Sequence, residues 1–252
     1  MSRSKTMSIY KTRAIVLRTR ELGETSRIIR LYSLRYGKID AVAKGIRNLT
    51  SRFGARLEPF TLVDLVLWGD VEKEGLQIIT QAQIINSHQA LREDLDRIAI
   101  SSFLVELVES LVEGGSEANI FYLLENFLYA LETRISPLFI YAFLLKLLSL
   151  LGLKPHLKDC LNCHGQVETR VVFSAAEGGI FCLSCAPPRG VITISAGTLA
   201  LAKQLLALPP LKIDQIRPSP PLLLELKSMI LDHLLAQHLP RHLKSLKFLI
   251  IP

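Results

Sequence analysis

Two cysteine pairs constrain this chain more than any other feature: Cys160-Leu161-Asn162-Cys163 and, eighteen residues later, Cys182-Leu183-Ser184-Cys185. They are the only cysteines in the 252 residues. A C-x-x-C turn lets two sulfurs approach one ion from a single loop, and two such turns close the tetrahedron of thiolates that zinc prefers. Between the pairs, Val171-Val172-Phe173 and Ile180-Phe181 suit short strands, with Gly178-Gly179 as the turn joining them. Four thiolates leave no position open for water, so the spacing predicts one structural zinc ion held by Cys160, Cys163, Cys182 and Cys185. Two disulfides are the competing reading. They suit an exported protein, whereas Met1 to Ser8 is short and polar and lacks the apolar core of an export signal, so a cytoplasmic location with reduced thiols is expected. His164, directly after Cys163, is either a substitute ligand or an exposed neighbour of the site. His238 and His242 are divided by Pro240, which argues against one helical face and against a catalytic histidine cluster; both read as surface residues.

An apolar fraction of 49% is ample for a real core in one large domain or two to three small ones. The most apolar run, Leu138 to Leu151, is interrupted by Lys146 and falls short of the roughly 18 to 20 residues that a bilayer span needs. It reads as a buried helix, and no membrane association is expected. The net charge of +7 is unevenly placed: residues 1–60 carry 14 Lys and Arg against 4 Asp and Glu, while the remaining 192 carry 16 against 19. Such asymmetry focuses a positive field on one domain, which is how a phosphate backbone is attracted and held. Nucleic acid is therefore the expected partner, the plain alternative being an ordinary solvated basic face.

From Tyr10 to Ile85 the pattern is short and strand-like, in Ala14 to Leu17, Ile28 to Tyr32, Ile39 to Ala43, Leu62 to Trp68 and Leu76 to Ile79. Turn signals at Gly23, Tyr36-Gly37, Gly45 and Gly69-Asp70 separate the five, which predicts a small barrel with the strand count of an OB-fold. The stretch Lys44 to Arg56 sets Arg47, Arg52 and Arg56 around Phe53, as expected of a basic loop whose cations track phosphates while its ring stacks on a base. Arg27, Arg30, Arg35 and Lys38 add cations on the second strand and the turn after it. Tyr32 and Tyr36 lie near them, but suit the core or barrel surface better than a base platform.

After Asn86 the period changes to that of helices, in Ile98 to Val112 and Ile120 to Leu131, parted by Gly114-Gly115. Ser136-Pro137 looks like an N-cap followed by proline, and Gly152 ends the apolar run that follows. Helical periodicity resumes in Ser195 to Leu208 and Pro221 to His238, on either side of the proline-marked stretch Pro209 to Pro220. The expected fold is thus α+β and multidomain: a five-stranded OB-fold β-barrel at 1–86, an α-helical domain in two parts at 87–154 and 191–252, and an inserted four-cysteine zinc module at 155–190. No G-x-S-x-G elbow, Walker A loop, G-x-G-x-x-G or H-E-x-x-H helix occurs, which points away from catalysis.

The order of several short segments adds to this reading. They are Lys11-Thr12-Arg13-Ala14-Ile15-Val16-Leu17, Gly23-Glu24, Tyr36-Gly37-Lys38-Ile39, Ala43-Lys44-Gly45, and Ser51-Arg52-Phe53-Gly54 running to Leu57-Glu58-Pro59-Phe60. Further on come Gly152-Leu153 before the cysteines, Gly178-Gly179 within the module, and Arg241-His242-Leu243-Lys244-Ser245. Over the whole chain they resemble the bacterial RecO family of recombination mediators. The resemblance implies an N-terminal OB-fold, a helical domain with a zinc-binding insert, and a non-catalytic protein of the RecF pathway working at the nucleoid. It implies binding of single- and double-stranded DNA and annealing of complementary strands. It also implies contact with the acidic C-terminal tail of single-stranded DNA-binding protein (SSB), and work with RecR to load RecA onto SSB-coated strands. Some members lack the cysteines, which implies that zinc is structural and dispensable to the family's activity. Two other readings follow from the residues alone: a non-catalytic RNA-binding or transcription-associated protein with an OB-fold and a zinc ribbon, since the same physics serves RNA, and a zinc enzyme with solvent at one coordination position.

Overall fold

A computed structural model of the chain describes residues 8–48, 50–51, 53–70, 75–113, 115–167 and 169–237. Two units arise, one mainly from Met1–Glu132 and the other mainly from Thr133–Lys244.

In the first unit five strands follow the alternation of the sequence: β1 Ser8–Leu22, β2 Ser26–Ser33, β3 Gly37–Ala43, β4 Leu62–Gly69 and β5 Gln77–Asn86. They close into a barrel in the order β1-β2-β3-β5-β4, with every pairing antiparallel except β3 with β5. Tyr10, Ala14, Val16, Ile29, Leu31, Leu65 and Leu67 fill its core. In β1 four consecutive residues, Ala14 to Leu17, are buried, because a bulge between Val16 and Arg18 breaks the two-residue period and both sides of the strand are covered there. β1 and β5 run further than their apolar runs suggest. The second half of β5 has exposed Gln81, Gln83, Ile84 and Ile85, and its ladder with β4, rather than its own composition, makes it a strand.

The long connection between β3 and β4 overturns one expectation. Phe53 opens a 3-10 turn, Gly54–Leu57, and its ring is only 1% exposed, packed into the barrel core with Ile46 and Leu57. A ring that closes the core has no face left for a base; burying it removes more apolar surface from water than an exposed loop position could. Tyr32 is likewise fully buried, and Tyr36 packs edge-on against Tyr10 at 5.0 Å.

Helices α1 (Leu95–Leu111) and α2 (Ala118–Thr133) complete this unit. Asp94 caps α1 by accepting the Arg97 N–H at 2.9 Å. The β2–β3 turn lies against the α1–α2 connection so closely that a Cβ on Gly37, whose φ is +65°, would sit 1.9 Å from the Gly115 carbonyl oxygen. Only glycine fits both the backbone angle and the gap.

The second unit is built on α3 (Leu138–Leu150), buried almost all round. Its one lysine, Lys146, sends Nζ to the Leu206 carbonyl at 2.6 Å, and burial lowers its pKa. After α3 come β6 (Arg170–Ser174), β7 (Gly179–Phe181) and β8 (Val191–Ser195), then α4 (Ala196–Ala207), a four-residue α5 (Pro210–Ile213) and α6 (Pro220–Ala236). The β6–β7 hairpin turns over 175–178, so Gly178 lies in the turn as expected while Gly179 already opens β7 opposite Ser174, and β8 adds a third strand on the other side of β6 to give the order β7-β6-β8. Among the described residues, no helix is long and apolar enough to cross a membrane.

One carboxylate fixes how α6 meets the start of α4. Glu225 Oε2 accepts the Ser195 N–H at 2.8 Å, the Ser195 hydroxyl at 2.8 Å and the Thr198 hydroxyl at 2.6 Å, while Ser195 Oγ caps α4 through the Thr198 N–H. Burial opposes its ionisation, but these donors, Thr198 first, hold its carboxyl below the ordinary range. The stabilisation is therefore present above the ordinary carboxylate range and lost as pH falls through the depressed value. Glu225→Gln is expected to destabilise the chain by about 1–3 kcal/mol at neutral pH. In thermal melts the gap between variant and wild type should narrow as the pH is lowered into the acid range; a gap independent of pH would contradict this.

Candidate metal centre and nucleic-acid interface

The first knuckle is folded by its own backbone. Cys160 N–H donates to the Gly165 carbonyl at 3.0 Å, and His164 N–H to the Cys160 carbonyl at 2.9 Å, with His164 in the left-handed region at φ 58°. Leu161 N–H donates to the Ile180 carbonyl at 2.9 Å, tying this knuckle to β7. In the second, Cys185 N–H reaches back to the Cys182 carbonyl at 3.1 Å. Beneath them Cys160, Val172 and Phe181 are buried, with Leu161, Val167 and Val191 packed around.

The four sulfurs lie within 4.8 Å of one another, close enough to bind one metal ion. Cys163 Sγ and Cys182 Sγ are 3.8 Å apart, close to the edge of about 3.8 Å expected of a tetrahedron with roughly 2.3 Å metal–sulfur bonds. That is far beyond the roughly 2.05 Å of a disulfide, and all four thiols are free. Burial opposes ionisation of Cys160, but hydrogen bonds from the Cys163, Cys182 and Asn162 backbone bring its thiol down to about 6. Cys163 has the Gly165 N–H to lower it, yet sharing protons with Cys160, Cys182 and Cys185 pushes it up to about 11. Crowded thiols cannot all ionise alone; a cation among them removes the conflict. His164 stands outside this cluster, 77% exposed, with Nδ1 4.0 Å from Asp159 Oδ1. Asp159 is instead hydrogen-bonded to His156 Nε2 at 2.7 Å, and that bond holds its carboxyl below the usual range.

The basic candidates spread over β2, β3 and the β3–β4 connection, and internal partners engage several of them. Arg30 stands directly opposite Asp40 in the β2–β3 ladder and grips it with two hydrogen bonds, Nε to Oδ1 at 2.6 Å and Nη2 to Oδ2 at 2.7 Å. Lys38 donates Nζ to the Glu109 carbonyl at 3.0 Å; burial, then the Arg30 charge, lower its pKa against the pull of Glu109 and Glu113. Arg27 meets Glu58 at 3.3 Å, and Arg47 meets Glu21 at 3.3 Å in a more exposed pair. Arg56 is half-buried within the 3-10 turn. Arg35 and Lys44 are exposed and have no carboxylate partner among the described residues. Arg52 lies outside the described residues, as do His238 and His242.

The first strand carries a second set of cations, whose signal in the sequence is plain alternation. The alternation Tyr10-Lys11-Thr12-Arg13 turns Tyr10 and Thr12 inward and Lys11 and Arg13 outward on β1, and Arg18 and Arg20 follow beyond the bulge. Arg18 pairs with Glu109 at 2.6 Å and Arg13 with Asp64 at 3.6 Å, while Lys11 and Arg20 have no carboxylate partner among the described residues.

Comparison with known proteins gives one family at both ends of the chain. The models described as recombination protein O N terminal and C terminal match residues 7–88 and 92–247. The chain is 36% identical over 245 residues to the DNA repair protein RecO of Pelotomaculum thermopropionicum, covering 96% of this chain and 94% of that protein. It is 35% identical over 248 residues to the DNA repair protein RecO of a Nocardioides strain (95% and 98% covered), and 34% over 247 to that of Alkaliphilus metalliredigens (95% and 96%).

Proposed function

Because the chain belongs to the recombination protein O family, we propose that it is a DNA repair protein that binds single- and double-stranded DNA and anneals complementary strands without catalysis. The observation that carries this reading is the concentration of cations on the barrel. Of these, Lys11, Arg20, Arg35 and Lys44 are exposed and without a carboxylate partner among the described residues. Annealing needs no bond made or broken, only phosphates neutralised well enough for two like-charged strands to meet. Arg35, Lys44, Arg47, Arg52 and Arg56 contact phosphate directly in this reading. Arg27, Arg30 and Lys38, held by internal partners, contribute through the field.

The barrel at 1–86 is then an OB-fold, and the module at 155–190 an insertion in the helical domain, stapled by one zinc on Cys160, Cys163, Cys182 and Cys185. When bound, the ion supplies a cross-link; four sulfurs leave it no place for substrate. The protein acts in the RecF pathway with RecR, helping RecA onto strands coated by SSB. A groove of about 540 Å³ in the second unit has the chemistry for SSB's acidic, apolar tail: Ile135, Ile216, Pro218 and Leu223 line it together with Arg134 and Arg217, both held by Asp214.

Five direct phosphate contacts predict that affinity for a single strand falls about a hundredfold between 50 and 200 mM salt, from a slope of roughly −0.7 per phosphate. Anisotropy of a labelled single strand across that range checks it, with RNA as competitor and strand annealing as the second readout. Binding indifferent to salt, or strong preference for RNA with no annealing, overturns the proposal.

A further inference from the structure

The outward side of β1, β4 and β5 carries three rows that run across the strands. Ile9 stands opposite Trp68 and Trp68 opposite Ile78; Lys11 opposite Val66 and Val66 opposite Gln81; Arg13 opposite Asp64 and Asp64 opposite Gln83. Opposed residues share one side of a pleated sheet, and the intervening Tyr10, Thr12, Leu65 and Leu67 are buried on the other. The second and third rows, together with Arg35, line an open groove of about 850 Å³. At its head Trp68 is 37% exposed and Ile9 69%.

This ring is presented by a fixed frame. Gln77, at the start of β5, is only 5% exposed, and its amide donates to the Asp70 carbonyl at 3.0 Å and the Gly75 carbonyl at 3.2 Å. A Cβ on Gly69, next to Trp68, would fall 1.9 Å from Gln77 Oε1, so the side chain clamps the strand end against bare backbone. The charge of the groove selects the occupant. Three cations line the groove with one carboxylate, Asp64, which is 56% exposed and 3.6 Å from Arg13; Glu125 of α2 also acts on Arg13 through its charge. Lys11 and Arg35 are unpaired among the described residues. Cations beside an accessible indole, with glutamine amides at the far edge of the groove, suit a polyanion that carries flat, apolar groups. A duplex hides those groups in its stack, whereas a single strand offers them.

We propose that the β1–β4–β5 face is a platform for single-stranded nucleic acid, on which Trp68 stacks a base while Lys11, Arg13 and Arg35 hold the adjoining phosphates. The inference rests on the nucleic-acid reading above and assigns it a face and a stacking ring, the part that buried Phe53 does not fill.

Trp68 is the chain's only tryptophan, so its emission reports this face alone. The intact protein is titrated with unlabelled oligothymidylate while emission is followed, and in parallel a labelled oligothymidylate is followed by anisotropy. Emission is expected to be quenched over the concentration range in which anisotropy rises. Trp68→Ala should weaken single-strand binding about tenfold, from the usual worth of one stacked base, Trp68→Phe should recover most of it, and duplex affinity should stay at the wild-type level. Rising anisotropy with unchanged emission overturns the platform and leaves DNA binding intact elsewhere on the barrel. No rise in dilute salt overturns DNA binding and the platform together. The quench is read on unaltered protein, so the test survives a Trp68→Ala chain that fails to fold.

Discussion

Removing the metal from the zinc-loaded chain with a chelator, or replacing Cys160 with Ser, is expected to unfold the two knuckles and loosen β6 and β7 beneath them. Beneath the knuckles the enclosed core is small: Cys160, Val172 and Phe181 are buried, with partly covered Leu161, Val167, Ala186 and Val191 around them, whereas Val171, Phe173, Ile180 and Ile194 are buried on the other side of the sheet. The knuckle side alone buries too little apolar surface to offset the entropy of ordering its two loops. Zinc in small finger modules contributes about 10–16 kcal/mol of apparent folding free energy, more than such a core supplies. Cys160 should be the least tolerant of the four positions. Its sulfur is wholly buried and its backbone anchors both the knuckle loop and, through Leu161, β7. Cys163 is exposed, and its replacement should leave more residual structure. Zinc released per chain and hydrogen exchange of the β6 and β7 amides measure the outcome. Expected are one zinc in the wild type, little in Cys160→Ser, and faster exchange of those amides after chelation, with the barrel amides still protected. Unchanged protection of β6 and β7 in metal-free protein would show that the core suffices and that the thiols have another role.

What the sequence revealed, and what it hid, follows from how far apart the cooperating residues lie. Four cysteines in two tight pairs announce their site because each knuckle is local, and only one gap of eighteen residues had to close. The barrel strands are legible for the same reason: alternation in Leu65-Val66-Leu67-Trp68 needs no knowledge of the partner strand. Register is not local. That Arg30 faces Asp40, so that a candidate phosphate contact is held by a carboxylate ten residues away, follows only from the β2–β3 pairing. That Lys38 turns to the Glu109 carbonyl requires α1 to lie where it does. Ile9, Trp68 and Ile78 come from three strands, and each looks unremarkable in its own segment. Strand β8 is hidden in the sequence because five residues next to Gly190 make too short a pattern to stand out before the helix that Ser195 caps.

Phe53→Ala should cost the chain about 3–5 kcal/mol, the usual penalty for deleting a fully enclosed aromatic ring. Phe53 sits among arginines in a glycine-flanked stretch, the composition of a solvated basic loop. Yet the 3-10 turn that follows swings it and Leu57 inward, where Ile46 and the strand residues Leu31, Val63 and Leu65 complete the same cluster. At 1% exposure the ring has no relaxed alternative, and its loss leaves a cavity lined by β-strands that cannot collapse without breaking their ladders. For a chain of this length each kcal/mol moves the midpoint by about 2–4 °C, so a fall of roughly 10 °C is expected in a thermal melt. Well below that midpoint, single-strand affinity should match the wild type, because the ring touches the barrel interior and not the strand. The two readings of this residue therefore separate cleanly: a core ring costs stability and spares binding, whereas a stacking ring does the reverse. A Phe53→Ala chain that melts with the wild type but loses single-strand affinity would return the ring to the nucleic-acid surface and take the stacking role away from Trp68.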